Sequence, residues 1–298
     1  MSLMKHYILC QHGLLGTQSD FRTFSEHFHA TAGNSVEVVI LQESAGLTQT
    51  LDGVEAGGNR CMHEILNLVR NGTISTQSQI SMIGHSLGGL YVRYALRQIE
   101  IEYPLLWDEY NLKRTLCIFL ATPHCGVECS SWLIRHSVDR LFRHVSRTAD
   151  DLSLKSPSLT ELADDFGIKS LENFAGIAFY GNERGDNLVS PTSALALPSF
   201  YRSDIHSETS SNVLITELAR KFQDDEGCDT RATIVNRINN GLKNIRRFLV
   251  RFQPGLPQIF SMVDNTAHHR IICHGVLDRG KAGIPVIEHI EALINSSD

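Results

Sequence analysis

The chain has 298 residues, 42% of them hydrophobic and 20% charged, which is the composition of an ordinary globular protein with a sizeable core. Its formal charge is -6 and its basic residues are scattered, so a nucleic-acid partner is excluded from the reading. No apolar run reaches the ~20 residues needed to span a bilayer, and no secretory signal is legible in residues 1–10.

Strands and helices alternate along the chain. Residues 6–11 predict a first strand, followed by Gln11-His12-Gly13-Leu14-Leu15-Gly16. Asp20 reads as the cap of a helix whose Phe21, Phe24 and Phe28 share one face, with Gly33 ending it. Residues 36–41 predict the second strand. Residues 52–59 are glycine-rich but lack the Gly-Lys-Ser/Thr ending of a phosphate loop, and read as a loop near the mouth of a site. A helix over 60–71 puts Cys61, Ile65 and Leu68 on one side, and Gly72 stops it. Residues 79–84 predict a strand and 87–102 a helix; a further strand covers 115–121.

Residues 126–171 then interrupt the rhythm for far longer than an ordinary loop. They carry Trp132, Leu133, Leu141, Phe142, Val145, Leu152, Leu159 and Leu162 among charges, and predict a helical cap or lid. A strand over 174–181 follows. Residues 190–244 are polar, and only their end, 230–243, is amphipathic, with Ile234, Ile238 and Leu242 in phase. A strand over 247–252 and a helix over 285–295 close the pattern. Arg246, Arg247 and Arg251 form the densest basic cluster and read as a solvated edge. Near-continuous apolar strands separated by helices predict an α/β fold, with a mostly parallel sheet flanked by helices on both faces. The organisation expected is a single domain over 1–298 carrying the insertion at 126–171.

The chemistry centres on Gly84-His85-Ser86-Leu87-Gly88, of the form G-x-S-x-G. A serine in a glycine-rich turn is common. Here an apolar strand leads in and a proline-free helix leads out, and that setting exposes the hydroxyl above a sheet edge. A serine nucleophile needs a base, an orienting acid and oxyanion donors, and after such an elbow the chain order is Ser, acid, His. Asp186, in the loop after the 174–181 strand, is the favoured acid and Glu183 its rival. His268 is the favoured base and His269 the alternative, because both stand in a polar loop after the last strand. His274 reads as structural and His289 as solvated on the last helix. The oxyanion donors expected are the amides of Leu87 and Leu14. His12 and His85 adjoin the turns and read as pocket supports.

Seven cysteines at irregular spacing read as reduced thiols in a cytoplasmic protein. His124 and Cys125 with Cys129 lack a matching second ligand pair, so no metal is expected, and no organic cofactor.

These residues together resemble the putative serine esterase family of lipase-like α/β-hydrolases. The resemblance is carried by His12-Gly13-Leu14-Leu15-Gly16, Asp52-Gly53-Val54, Gly84-His85-Ser86-Leu87-Gly88-Gly89-Leu90 with Tyr94-Ala95, and Thr122-Pro123-His124-Cys125-Gly126. Asp186 sits in a stretch similar to the family's N-D-x-x-V-P loop, and Ala267-His268-His269-Arg270-Ile271 is similar to its A-H-N-x-I motif. Gly185, Ser190 and His269 depart from those patterns. The resemblance implies an α/β-hydrolase fold, a Ser86–Asp186–His268 triad, and an esterase or lipase acting on small-molecule or lipid acyl esters. The apolar content of 126–171 would supply the acyl pocket or a membrane-touching lid, with peripheral membrane or lipid-droplet contact. A thioesterase or acyltransferase would use the same residues, and a catalytically silent hydrolase fold would bind a lipid or partner instead.

Overall fold

The computed structural model describes residues 4–46, 48–127, 146–201, 213–219, 222–252, 266–274 and 282–296. Trp132, Leu133, Leu141, Phe142, Val145 and Cys129 lie outside these residues.

The architecture is α/β. In chain order the elements are β1 (His6–Gln11), α1 (Arg22–Thr31), β2 (Val36–Ile40), α2 (Val54–Arg70), β3 (Ser78–His85), α3 (Leu87–Glu102), α4 (Leu106–Glu109) and β4 (Leu112–Leu120). Then come α5 (Arg147–Leu152), α6 (Ser158–Glu161), α7 (Asp165–Glu172), β5 (Gly176–Asn182), α8 (Pro191–Ala194) and β6 (Val213–Glu217). The last are α9 (Thr230–Gly241), β7 (Ile245–Phe252), α10 (Thr266–Arg270) and α11 (Ile284–Asn295). The strands form one seven-stranded sheet in the order β2-β1-β3-β4-β5-β7-β6. All neighbours pair in parallel except β6, which runs antiparallel to β7 at the edge.

Alternate residues of each strand serve opposite faces, as the pleat requires. Tyr7, Leu9, Ile80, Met82, Cys117 and Phe119 pack towards α2 and α3. Ile8, Cys10, Ile83, Ile118 and Tyr180 pack towards α1 and α11. Both faces are therefore dry, which explains the unbroken apolar runs. Among the described residues no helix is long and apolar enough to cross a membrane.

Several expectations need correction. The helix read as 60–71 begins at Val54, so 54–59 is its first turns rather than a loop. Its two glycines are packing surfaces: a Cβ on Gly57 would lie 2.3 Å from the Tyr91 ring, and one on Gly58 2.4 Å from the Tyr94 ring. Asp20 is not the first cap. Thr17 caps a 3-10 turn over Gln18–Phe21, and Asp20 completes its capping box by accepting from the Thr17 amide. β6 arises inside the segment read as polar, where no strand was expected. Arg247 is buried rather than solvated, donating to the Leu195 carbonyl at 2.7 Å, while Arg246 and Arg251 pair with Glu217 and Glu183. His289 is not solvated either: its Nδ1 lies 2.7 Å from the Tyr180 hydroxyl.

Candidate active site

β3 delivers the elbow. Its last residue, His85, pairs with Leu120 of β4, and the Ser86 amide donates to the Leu120 carbonyl at 2.9 Å. The chain then reverses into α3 with Ser86 at φ 53° and ψ -130°. Holding a non-glycine residue there costs on the order of 1–3 kcal/mol, and the paired strand on one side and the buried helix on the other enforce it.

Three elements converge on Ser86. The Ser86 hydroxyl lies 2.8 Å from His268 Nε2, and His268 Nδ1 lies 2.9 Å from Asp186 Oδ2. A carboxylate only accepts, so Nδ1 carries the proton and Nε2 is left to accept from the Ser86 hydroxyl. His268 sits on α10 and Asp186 in the loop after β5, both side chains almost fully enclosed. Asp186 is held by three further donors: Asn182 Nδ2 at 2.9 Å on Oδ2, and the amides of Leu188 at 3.0 Å and Val189 at 2.9 Å on Oδ1. Burial works to raise the Asp186 carboxyl. The His268 imidazole and the hydrogen bonds outweigh it and keep the group below its ordinary range.

The rivals are occupied elsewhere. Glu183 is paired with Arg251, one oxygen at 2.7 Å from the guanidinium. The His269 ring stands edge-on to His268 at 5.6 Å, outside the chain of bonds that joins Ser86 to Asp186. His274 Nδ1 lies 3.1 Å from Asp20. His12 is buried against the Gly13 carbonyl, and burial lowers its pKa.

The Gln11–Gly16 loop, expected to carry an oxyanion donor, lies against the elbow. A Cβ on Gly13 would sit 2.8 Å from Ser86 Cβ, so only glycine allows the approach. Leu87 is the first residue of α3, and its amide therefore has no intrahelical acceptor. Leu14 and Leu87 both line a cavity of about 690 Å³ that includes Ser86 and His268. Leu51, Val127, Leu152 and Leu188 give it an apolar wall.

The sequence pattern did not single out Asn182. Its partner is Asp186, and the pairing depends on where β5 ends. Nor did it show how the stretch after β4 is anchored. The Gly53 amide donates to Thr148 Oγ1 at 3.0 Å, and Thr148 donates to the Thr50 carbonyl at 2.9 Å. His124 of the Thr122–Gly126 stretch stacks on Phe179 at 3.9 Å and meets Arg93 at 3.2 Å. Burial, followed by Arg93 and Arg247, drives its pKa well down. Among the described residues no cluster of His, Cys, Asp or Glu is arranged to hold a metal ion.

Residues 2–198 match the model of the family described as Putative serine esterase (DUF676). Two relatives from Saccharomyces cerevisiae are similar to part of the chain. Putative lipase ROG1 is 27% identical over 194 residues, and Putative lipase YDL109C is 25% identical over 199. The matches cover 62% and 63% of this chain but only 27% and 30% of those proteins. Among solved structures, carboxyl esterase 2 from Tuber melanosporum aligns over 100% of this chain and 78% of its own, at 12% identity and TM-score 0.49. The metagenomic carboxyl esterase MGS0156 aligns over 99% and 77%, at 12% identity and TM-score 0.48. With the family model matching well over half of its length, elbow included, the chain belongs to this serine esterase family.

Proposed function

We propose that this protein hydrolyses carboxylic esters of lipid acyl chains through an acyl-enzyme on Ser86, and that it does so in the cytoplasm. The observation that carries the reading is the unbroken hydrogen-bonded chain from Ser86 through His268 to Asp186.

The Ser86 oxygen attacks the ester carbonyl carbon while its proton passes to His268 Nε2. Asp186 keeps the imidazole in the tautomer that can accept it and stabilises the imidazolium that forms. The carbonyl oxygen takes the negative charge and is held by the Leu14 and Leu87 amides. The tetrahedral adduct collapses, the C–O bond to the alcohol breaks, and His268 returns its proton to the departing oxygen. Water then enters along the same path. His268 takes its proton as the water oxygen bonds to the acyl carbon, the second adduct collapses with cleavage of the acyl–Ser86 bond, His268 returns the proton to the Ser86 oxygen, and the free acid leaves. No step requires a metal or an organic cofactor.

In this reading the apolar wall of the cavity takes the acyl chain, and 126–171 is the cap of a single hydrolase domain. The test is labelling by a fluorophosphonate probe together with hydrolysis of a panel of esters. The wild-type protein should label and hydrolyse, and Ser86→Ala should do neither. A folded wild-type protein that does not label removes the proposal.

A further inference from the structure

We infer that His85 is a positioning residue for the base: its ring N–H holds the main-chain carbonyl of His268 and so fixes the imidazole between Ser86 and Asp186. The inference rests on the proposed roles of Ser86 and His268.

The bookkeeping of backbone donors around α10 points to it. The Ile271 amide donates to the Ala267 carbonyl, and the Ile272 amide turns to His269 instead of to His268. The Cys273 amide takes Arg270, and the His274 amide takes His269 again. No amide of this turn reaches the His268 carbonyl, an orphan of the helix C-terminus in a buried place. His85 Nε2 lies 2.9 Å from it. A carbonyl only accepts, so Nε2 carries the hydrogen and donates.

His85 suits the task because it is rigid. It is the last residue of β3, in register with Leu120, and 3% exposed. Its ring packs at 4.9 Å from the His268 ring and 6.4 Å from that of His269. Burial, then repulsion from His268, holds it neutral, well below the ordinary imidazole range. It therefore keeps one donor through the proton cycle of its neighbour. The residue before the nucleophile thus grips the backbone of the base, and one corner of β3 sets both reacting partners.

The test compares three variants in steady-state hydrolysis of a short-chain nitrophenyl ester, with circular dichroism as the check on folding. His85→Gln carries an amide N–H to about the same reach. It should keep kcat close to wild type. His85→Leu fills the space without a donor and should lose about 100-fold in kcat with KM little changed, the scale expected when a reacting group is misplaced. If His85→Leu does not fold, His85→Asn replaces it: polar, but too short to reach the carbonyl, it should fall well below His85→Gln. Wild-type kcat in folded His85→Leu, or equal kcat in the Gln and Asn variants, overturns the inference. If Ser86→Ala has abolished hydrolysis in the same assay, the proposed mechanism survives that result. If Ser86→Ala hydrolyses like wild type, the mechanism itself has failed.

Discussion

Asp151 Oδ2 accepts the Val54 amide at 2.7 Å, so a residue of α5 caps the start of a helix that lies 97 positions earlier. Gly53, the N-cap position, supplies no side chain for the purpose. The other Asp151 oxygen accepts from Ser156 and Ser158. One buried carboxylate therefore joins the segment after β4 to α2.

Asp151→Ala should leave the first turn of α2 uncapped and cost about 1–2 kcal/mol. Thermal unfolding should shift down by several degrees. Because Asp151's neighbours Ser146, Thr148, Ala149, Asp150, Leu152 and Ser153 line the cavity, KM for long-chain esters should rise more than kcat falls. An unchanged Tm would show that the two segments do not depend on each other.

Gly13→Ala addresses the proposed oxyanion loop. The added methyl would meet Ser86 Cβ at 2.8 Å, and the backbone must withdraw. Withdrawal displaces the neighbouring Leu14 amide, and losing one oxyanion donor costs about 100- to 1000-fold in kcat. Stability should change far less than rate. A variant with wild-type kcat would remove Leu14 from the mechanism.

His268→Ala and His269→Ala separate the two candidate bases. The first should lower kcat by on the order of 10,000-fold or more, as loss of a triad member does. The second, with its ring outside the bonded chain, should keep most of the activity. The reverse result in an ester assay would move the base to His269.

The buried histidines set an acid limit on stability. His85 and His124 are both held well below the ordinary value of 6.5, so the folded state refuses protons that the unfolded chain accepts. Stability should be full above that value and fall as pH drops below it. Asp186, lowered from its ordinary 3.8, adds a second loss only at much lower pH, as the medium falls through its folded value. Tm measured from neutral to mildly acidic pH should decline, and His124→Gln should flatten the slope. An identical slope in that variant would exclude His124 as a source.

Most of the sheet was legible because strands dry on both faces leave unbroken apolar runs. β6 was not, since its apolar run, Val213-Leu214-Ile215, is only three residues long and stands at the sheet edge within a polar segment. The start of α2 was hidden because Gly57 and Gly58 look like a loop until Tyr91 and Tyr94 occupy the space their side chains would fill. Chain order admitted Asp186 and Glu183 alike, and the partner of each depends on contacts between distant elements. Arg251 sits on the neighbouring strand and takes Glu183, while Asn182 and two loop amides gather on Asp186. His289 misled for the same reason. Its helical phase suggested solvent, and only the packing of α11 on the sheet supplies Tyr180.

Thr50 touches both sides of the cavity. Its hydroxyl accepts the Leu15 amide at 3.2 Å, next to the oxyanion turn, and its carbonyl accepts from Thr148 of the cavity wall at 2.9 Å. Under the proposed function, Thr50 would therefore couple acyl selectivity to turnover. Reshaping the wall at Thr148 to admit a bulkier chain would then tug on the turn proposed to steady the oxyanion, and a redesign for a new substrate would have to retune both at once.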